Sequence, residues 1–406
     1  MENNNEKKVI LKVDNLSMYF KMGGFTLKAV DHVNFEICEG EVFGLVGESG
    51  CGKTTTGRTI IKLYDATGGN VYFKGQRIVA GTNDYKEEIK ACRKQLKDNK
   101  ELSAEEVNAL NERIQNAREE IKKAKYDSKN CSASYITKCV EDVKNKYAPL
   151  LEEAEAKGNP EEIKEVKKQY AHDLKVARNE RIVNGIQMIF QDPIGSLDPR
   201  MTVREIISEG LVIKGVKNKK VIDETVYDVL EKVGLVKQHA NRYPHEFSGG
   251  QRQRIGVARS MTMKPSLIIA DEPVSALDVS IQAQVINLLD DLRHETNLAI
   301  LFIAHDLSVV KYFSDKIGVM YFGKMVELTT SDELFAHPCH PYTRALLSAI
   351  PVPDPDYEKN RKRIIYNPVR DHDYRQQQPY MQEVFPGHFV YCNDEERERF
   401  IKEYQK

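Results

Sequence analysis

Long apolar stretches are missing from this sequence. The longest runs, such as residues 298–304 and 266–270, fall well short of the roughly 18 residues that a membrane-spanning helix needs. Residues 1–8 are polar and lack the apolar core of a secretory signal. We therefore expect a chain that stays in the cytoplasm and does not itself span a membrane.

Net charge is nearly absent as well. Lys and Arg total 60 and Asp and Glu total 61, so the formal net charge of −1 gives no electrostatic case for nucleic acid as a partner. The cysteines are odd in number and scattered along the chain, at positions 38, 51, 92, 131, 139, 339 and 392. This distribution does not suggest a disulfide framework and is typical of free thiols in a reducing compartment. The 406 residues, 41% of them apolar, predict a globular protein of two or three structural units.

Apolar and polar residues alternate in the first part of the chain, which predicts strands with one buried face. Gly23 and Gly24 mark a turn, and a glycine-rich loop followed by a helix over 53–63 is typical of an α/β nucleotide-binding unit. The predicted strands are residues 9–20, 29–37, 42–46, 71–73 and 77–79.

The α/β pattern resumes after residue 181. A helix-rich stretch over 202–259 precedes two apolar strands, 266–270 and 299–304, with a helix over 279–295 between them. Such strands are typical of a parallel sheet that is buried on both faces. A tail rich in Pro, Tyr and charge begins near residue 337.

The intervening segment, residues 81–180, has a different composition. It contains 21 acidic and 21 basic residues and no Phe, so it cannot form a globular core of its own. Its apolar residues nevertheless step by three and four, which is the pattern of a heptad seam: Val107, Leu110, Ile114, Ala117, Ile121, Ala124, then Ile136, Val140, Val143, Tyr147, Leu150 and Ala154.

Two runs of equal length, 103–125 and 134–156, flank a polar segment at 127–132. We therefore predict an antiparallel coiled-coil hairpin, with shorter helices over 86–98 and 161–179 leading back to the body. The alternative is a disordered charged linker, which the sustained seam disfavours. We hypothesise that the segment is a regulatory or partner-docking module.

A phosphate-loop pattern follows the third predicted strand and opens the helix after it. Its residues are Gly47, Glu48, Ser49, Gly50, Cys51, Gly52, Lys53 and Thr54. Glycines let backbone N–H groups wrap phosphates at the positive end of a helix. We expect Lys53 to reach the β- and γ-phosphates of a nucleotide and the Thr54 hydroxyl to bind Mg²⁺. Cys51 is interpreted as a small spacer, with a redox-sensitive thiol as the alternative.

Two carboxylates end the apolar strand at residues 266–270. Asp271 is placed to hold Mg²⁺, and Glu272 is placed to polarise the attacking water as a general base. An acidic pair at a strand end is weak evidence alone, but together with a phosphate loop it predicts nucleotide hydrolysis.

The segment from Phe247 to Arg254 resembles the signature motif of the ABC ATPases. In that family the signature of one subunit completes the ATP site of another, so the resemblance implies that Ser248, Gly249, Gly250 and Gln251 contact the γ-phosphate bound by a partner. It also implies the family's fold: a P-loop ABC nucleotide-binding domain of α/β class, with a RecA-like core, an antiparallel β subdomain and a helical signature subdomain.

Further motifs occur in the order of that family. The resemblance assigns Gln191 to sensing Mg²⁺ and the γ-phosphate, residues 275–278 to the loop linking the two sites, and His305 to the γ-phosphate. An aromatic side chain is expected to stack on adenine; Phe20 fits best by its position, and Tyr19 is the alternative. The expected ATP-binding set is Phe20, Gly47, Ser49, Gly50, Cys51, Gly52, Lys53, Thr54 and Thr55, with Thr54, Gln191 and Asp271 at Mg²⁺.

The tail segment 337–351 resembles the post-domain element of oligopeptide and dipeptide importer ATPases, of their second ATPase type. The resemblance implies a second, homologous ATPase subunit, two membrane permease subunits and an extracellular peptide-binding protein as partners, on the cytoplasmic face of the membrane. A heterodimer is expected, and a homodimer stays open. Some relatives carry four tail cysteines for an iron–sulfur cluster; beyond residue 338 this chain has Cys339 and Cys392, so we expect no cluster.

The predicted division of the chain interrupts one ATPase domain with the charged segment. Residues 1–80 and 181–336 form that domain, 81–180 the inserted hairpin, and 337–406 the tail extension. The rival class is a chromosome-maintenance or repair ATPase, whose coils also lie between the phosphate loop and the signature. Cys131 and Cys139 are spaced too widely for a zinc hook, and the tail is unexplained in that class.

Overall fold

A computed structural model describes residues 8–99, 102–192, 195–350 and 363–404. Within these ranges no helix is both long enough and apolar enough to cross a membrane. Residues 1–7, interpreted above as lacking a secretory signal, and Pro351 at the end of the tail motif lie outside the described residues.

The strands, in chain order, are β1 (Val9–Met22), β2 (Phe25–Cys38), β3 (Val42–Val46), β4 (Gly68–Phe73), β5 (Gln76–Ala80), β6 (Ile186–Ile189), β7 (Leu267–Asp271), β8 (Ala299–Ala304), β9 (Lys316–Tyr321), β10 (Lys324–Thr330), β11 (Tyr380–Phe385) and β12 (His388–Cys392). The helices are α1 (Lys53–Ile60), α2 (Asn83–Asp98), α3 (Ala104–Lys157), α4 (Pro160–Arg178), α5 (Val203–Ile213), α6 (Lys219–Lys232), α7 (Gly249–Met261), α8 (Val279–Thr296), α9 (Leu307–Phe313), α10 (Ser331–Ala336), α11 (Pro341–Ser348), α12 (Pro368–Asp371) and α13 (Asp394–Tyr404).

A four-stranded antiparallel sheet is formed by the strands of the amino-terminal part, in the order β2-β1-β4-β5. The turn between β1 and β2 lies at Gly23 and Gly24, which both have positive φ angles. Buried and exposed residues alternate over residues 31–37 of β2 and are interspersed less regularly along β1, so the predicted half-buried strands are confirmed. The predicted hairpin of β4 and β5 is confirmed as well.

A second sheet has the order β11-β12-β10-β9-β3-β8-β7-β6. The strands β9, β3, β8, β7 and β6 run parallel to one another, whereas β10 is antiparallel to β9. Every residue of β3, β7 and β8 is buried. Helices cover both faces of such a sheet, which is why these strands are apolar without alternation. The prediction of parallel, doubly buried strands is confirmed.

The predicted coiled-coil hairpin in residues 81–180 is wrong. Helix α3 runs without a break from Ala104 to Lys157, straight through the segment at 127–132 that was predicted to turn. The helix has 54 residues, so it is about 80 Å long at 1.5 Å per residue. Its ends are as predicted: Ser103 and Glu106 form a capping box, and Gly158 ends it in the left-handed conformation.

The apolar face of α3 is covered by the neighbouring helices α2 and α4. It is not covered by the other half of the predicted hairpin. Leu110 and Ile114 pack with Cys92 of α2, and Tyr147 packs on Tyr170 of α4 with ring centroids 5.3 Å apart. The shorter helices predicted on either side are therefore confirmed, but they supply the contacts that the hairpin arms were expected to give each other.

The middle of α3 lies against the body of the protein. The Ser128 hydroxyl donates to the Ile78 carbonyl of β5 (3.0 Å), and Lys62 donates to the Ser128 carbonyl (2.9 Å). Cys131 is buried in the core cluster that also contains β1 and β3 side chains. Ser128 and Cys131 are three residues apart and therefore lie on the same side of the helix. Their contacts with the body stabilise this polar segment as helix, and it therefore does not form a turn.

Spin labels on α3 distinguish the continuous helix from a hairpin. Glu112 and Glu141 are exposed, and in a chain with Cys38 and Cys139 replaced by serine both can be changed to labelled cysteines. Along one helix the two positions should be about 44 Å apart, whereas arms folded about residues 127–132 would bring them within about 20 Å. Double electron–electron resonance measures this distance.

A label pair at Glu141 and Glu152 serves as the control. Both positions are exposed and lie in the same half of α3, so either arrangement gives about 16 Å. A short distance for the Glu112 and Glu141 pair, with the control distance unchanged, would contradict the continuous helix.

The tail adds strands to the edge of the main sheet. Strands β11 and β12 form a hairpin whose turn contains Gly387 at a φ angle of 76°, and β12 pairs with β10. No strand was predicted in this segment, although its Pro386-Gly387 pair is a turn signal.

Candidate nucleotide site

The loop between β3 and α1 has a backbone that only glycine adopts easily. Gly47, Gly50 and Gly52 have φ angles of 148°, 81° and 111°. A Cβ atom would lie 2.2 Å from the Met320 carbonyl oxygen at Gly47 and 2.1 Å from the Ala29 carbonyl oxygen at Gly52. Close packing of the loop against neighbouring backbone therefore requires these glycines.

Lys53 closes this loop from inside. Its side chain is buried, and Nζ donates to the carbonyl oxygens of Gly47 (2.7 Å) and Glu48 (2.9 Å). No side chain caps the amino terminus of α1, where Gly52 is the capping residue. The first N–H groups of α1 are thus available to an anion, which the helix dipole favours.

Cys51 lies inside the loop. Its side chain is buried, with Sγ 3.8 Å from Lys53 Nζ. Burial raises the pKa of the Cys51 thiol, which reduces the fraction of reactive thiolate at neutral pH. These properties favour the interpretation as a packed spacer over that as a redox-sensitive thiol.

A hydroxyl and a carboxylate face each other between α1 and β7. Thr54 Oγ1 donates to Asp271 Oδ1 (2.7 Å), and Asp271 Oδ2 is buried without a hydrogen-bond partner among the described residues. Burial raises the pKa of the Asp271 carboxyl. An orphaned buried carboxylate oxygen beside a hydroxyl is a set of oxygen donors that fits Mg²⁺.

Glu272 has an unusual backbone conformation directly after β7. Its φ angle is 45°, and its N–H donates to the Ile303 carbonyl of β8 (2.9 Å). The side chain accepts a hydrogen bond from Gln191 Nε2 (2.8 Å), which joins the ends of β6 and β7. Strained backbone of this kind occurs at functional sites, where surrounding contacts hold a side chain in place.

His305 follows β8 and is exposed. Together with Glu272 and Ser275 it lines one small cavity. Because β6, β7, β8 and β3 are parallel neighbours, the residues after them meet at the same edge of the sheet, where α/β proteins bind their ligands. The structure thus brings Gln191, Glu272, His305 and Lys53 to one edge.

The signature segment begins helix α7. Ser248 caps the helix: its hydroxyl accepts from Gln251 N (3.4 Å), and its N–H donates to Gln251 Oε1 (3.1 Å). Ser248 and Gly249 are exposed, and a Cβ at Gly250 would lie 2.5 Å from the Ile281 side chain. These polar contacts stay within the motif, so within the described part of the chain they do not connect it to the phosphate loop.

The two aromatic candidates for adenine stacking have different surroundings. Phe20 is half-buried and meets Tyr64 edge-on, with ring centroids 5.5 Å apart. The Tyr19 hydroxyl donates to Asp31 (2.5 Å), and the Lys28 ammonium lies 5.1 Å from the Tyr19 ring. Tyr19 is therefore held by its own polar partners, and Phe20 stays our prediction.

One contact to the loop was missed by sequence reasoning. The backbone N–H of Glu48 donates to the hydroxyl of Tyr342 in the tail (3.0 Å). Tyr342 was noted only as part of the tail motif, and no local signal predicts that residues so far apart in sequence meet.

Two family models match the chain, one over the part that contains the phosphate loop and one over the tail. A model described as ABC transporter matches residues 30–138 and 155–275. A second model, described as the oligopeptide/dipeptide transporter C-terminal region, matches residues 326–376, which include most of β10, all of α11 and Tyr342.

Known proteins are similar along nearly their whole length. The oligopeptide transport ATP-binding protein OppF of Bacillus subtilis (strain 168) is 44% identical over 396 residues, covering 96% of this chain and 98% of that protein. OppF of Streptococcus mutans is 44% identical over 398 residues, and the dipeptide transport ATP-binding protein DppF of Lactococcus lactis subsp. cremoris 41% over 401, each covering 98% of both chains.

Solved structures share the fold at low sequence identity. The structure of cbiO1 from Clostridium perfringens has a TM-score of 0.51 and 19% identity, covering 81% of this chain and 92% of that one. The ATP-binding cassette MJ0796, in a dimeric post-hydrolysis state bound to ADP and Pi, has a TM-score of 0.50 and 22% identity, covering 79% and 99%.

Proposed function

The chain belongs to the ABC transporter family, as one of its ATP-hydrolysing subunits, and we propose that it powers a bacterial importer of oligopeptides or dipeptides. The observation that carries the proposal is the joint match of the ATPase part and of the tail over residues 326–376. Relatives similar over the full chain are named as oligopeptide or dipeptide transport ATP-binding proteins, and this disfavours a chromosome-maintenance ATPase.

We propose that the edge of the main sheet is the ATP site. Lys53 and the N–H groups at the start of α1 bind the phosphates, because both place positive charge beside the loop. Phe20 stacks on adenine. The further residues of this proposed set are Gly47, Ser49, Gly50, Cys51, Gly52, Thr54 and Thr55.

Thr54, Asp271 and Gln191 are the proposed ligands of Mg²⁺, which when bound would neutralise charge on the phosphate oxygens. The orphaned Asp271 Oδ2 supports this assignment. Glu272 is the proposed general base: its carboxylate orients a water molecule and accepts a proton from it, while Gln191 holds the carboxylate and His305 contacts the γ-phosphate.

A dimer is proposed because the signature is open to solvent. Ser248 and Gly249 are exposed at the start of α7. The positive end of the helix dipole at this position would favour the negatively charged γ-phosphate of a nucleotide bound by a partner subunit. The proposed partner is a second, homologous ATPase subunit with a different sequence, so that the two form a heterodimer. Two membrane permeases and an extracellular peptide-binding protein complete the proposed importer, with this subunit at the cytoplasmic face of the membrane.

The domain division also remains a proposal. Residues 1–80 and 181–336 would form the ATPase domain, and 337–406 the tail extension. Within 81–180 we propose that a partner docks on the two ends of α3, together with the helices that pack there, α2 and α4. The middle of α3 is excluded because it already contacts β5.

Reconstitution with the membrane partners tests the transport function. We expect affinity purification of the tagged chain to recover two permeases and a second ATPase. In proteoliposomes with the binding protein, short peptides should stimulate ATP hydrolysis and enter the vesicles. Amino acids and sugars at the same concentration are the matched controls. Stimulation by one of these solutes, and not by peptides, would contradict peptide import while leaving the ATPase assignment intact.

A further inference from the structure

A hydroxyl group in the tail of the protein contacts the phosphate loop. Tyr342 lies in the first turn of α11, is only 2% exposed, and accepts a hydrogen bond from Glu48 N–H at 3.0 Å. Lys53 Nζ donates to the Glu48 carbonyl at 2.9 Å. Both backbone polar groups of Glu48 are therefore held, one by the tail and one by the loop's own lysine.

Buried polar groups hold Tyr342 in this position. Its backbone N–H donates to His340 Nδ1 (3.1 Å). The His340 N–H donates in turn to Glu327 Oε2 (3.0 Å) on β10, and Cys339 N–H donates to Glu327 Oε1 (2.8 Å). Since buried carboxylates need such partners, this bonding fixes the start of α11 against the main sheet.

The hairpin of the tail completes the arrangement. His388 Nε2 of β12 lies 2.8 Å from Glu327 Oε1, and both side chains are fully buried. A continuous series of hydrogen bonds thus runs from β12, through Glu327 and His340, to Tyr342 and the phosphate loop. None of these tail residues belongs to the proposed ATP site.

Aromatic packing restricts the Tyr342 ring further. Its centroid lies 4.4 Å from that of Tyr321 at the end of β9 and 5.5 Å from that of Tyr366. Burial raises the pKa of the Tyr342 hydroxyl, so the group stays neutral and protonated at physiological pH. Little rotation of the ring is left, and the hydroxyl therefore presents a fixed acceptor to Glu48.

We propose that Tyr342 is a positioning residue that preorganises the phosphate loop for nucleotide, and that the tail thereby sets the nucleotide affinity of the subunit. The proposal rests on the phosphate loop being the nucleotide site. A loop already held in one conformation loses less conformational entropy when its ligand binds, so removing the hydroxyl weakens binding. The ring packing is preserved when only the hydroxyl is removed.

The variant Tyr342→Phe tests this role in the full-length chain. Titration calorimetry with ADP should give roughly three- to tenfold weaker affinity, the effect of one net hydrogen bond. In the assembled transporter the KM for ATP should rise by a similar factor, with kcat changed less than about twofold. The unfolding temperature without nucleotide should change little.

Tyr366→Phe is the matched control, because Tyr366 packs on the same ring and makes no hydrogen bond to the loop within the described part of the chain. Its ADP affinity should equal that of the wild type. Unchanged affinity in Tyr342→Phe would overturn the proposal. Equal weakening in both variants would also overturn it, because the effect would then follow from losing a hydroxyl anywhere in this aromatic cluster and not from the bond to Glu48.

Hydrogen exchange of the nucleotide-free wild type provides a test that does not depend on the variant folding. Glu48 is exposed as a residue, so its amide should be protected from exchange only through the Tyr342 hydroxyl, and more strongly than the amide of exposed Ser49. An unprotected Glu48 amide overturns the contact. If the wild type fails to bind ADP, the nucleotide-site assignment fails, and the exchange result still decides the contact.

Discussion

Replacing Glu272 with glutamine should lower ATP hydrolysis by the assembled transporter roughly 10²–10⁴-fold, which is the usual contribution of a general base. Glutamine has nearly the same shape as glutamate, so the strained backbone at a φ angle of 45° and the contact with Gln191 can persist. What is lost is the basic oxygen that accepts a proton from water. Steady-state release of phosphate from the reconstituted complex measures the effect.

ATP binding separates a loss of chemistry from a loss of folding in this experiment. Glu272→Gln should bind ATP as tightly as the wild type, because the phosphates are bound by Lys53 and the start of α1. Glu295→Gln, an exposed change on α8, is the matched control and should hydrolyse ATP at the wild-type rate. Near-normal hydrolysis by Glu272→Gln would show that another group is the base.

Replacing Lys53 with alanine is expected to have the second large effect, a loss of roughly 10²–10³-fold in hydrolysis. The ammonium group is buried and donates to the carbonyls of Gly47 and Glu48, so it both closes the loop and places positive charge beside the phosphates. Unlike the change at Glu272, this one should also weaken nucleotide binding, because the ground state loses the same charge.

Two measurements distinguish this result from unfolding. The thermal stabilisation by ADP should disappear in Lys53→Ala, whereas the unfolding temperature without ADP should shift by only a few degrees. Lys94→Ala, an exposed change on α2, is the control and should keep both values. Full stabilisation of Lys53→Ala by ADP would contradict the assigned phosphate contact.

Local sequence signals predicted the central elements of the proposed ATP site. A loop rich in glycine and an apolar strand followed by two carboxylates each carry their information within a few residues. The parallel sheet then brings these segments to one edge, because their strands are neighbours. Local patterns therefore predicted Lys53 and Glu272, whereas Gln191 and His305 were predicted from the resemblance to the ABC ATPases.

The inserted segment shows where local signals stop. The three-four spacing identified most of the apolar face of α3. Half of the twelve predicted seam residues are buried, whereas Leu150 is exposed; the buried ones are Leu110, Ile114, Ala117, Ala124, Tyr147 and Ala154. The spacing contains no information about the partner of that face. Residues 127–132 contain neither glycine nor proline, so the predicted turn depended only on their polarity. In the structure this stretch is helical, and Ser128 and Cys131 lie on the side of the helix that contacts the body of the protein.

The class of fold, the phosphate loop and the acidic pair could be predicted from the chain alone, because backbone conformation and strand burial depend on neighbouring residues; the family followed from the resemblance of short motifs. The packing of α3, one continuous helix, on α2, α4 and β5 and the contact of the Tyr342 hydroxyl with Glu48 became visible only in the folded chain. Both outcomes depend on which surfaces meet when the chain is compact. Contacts between distant segments are chosen by shape and by the need to satisfy buried polar groups, and neither leaves a pattern along the chain.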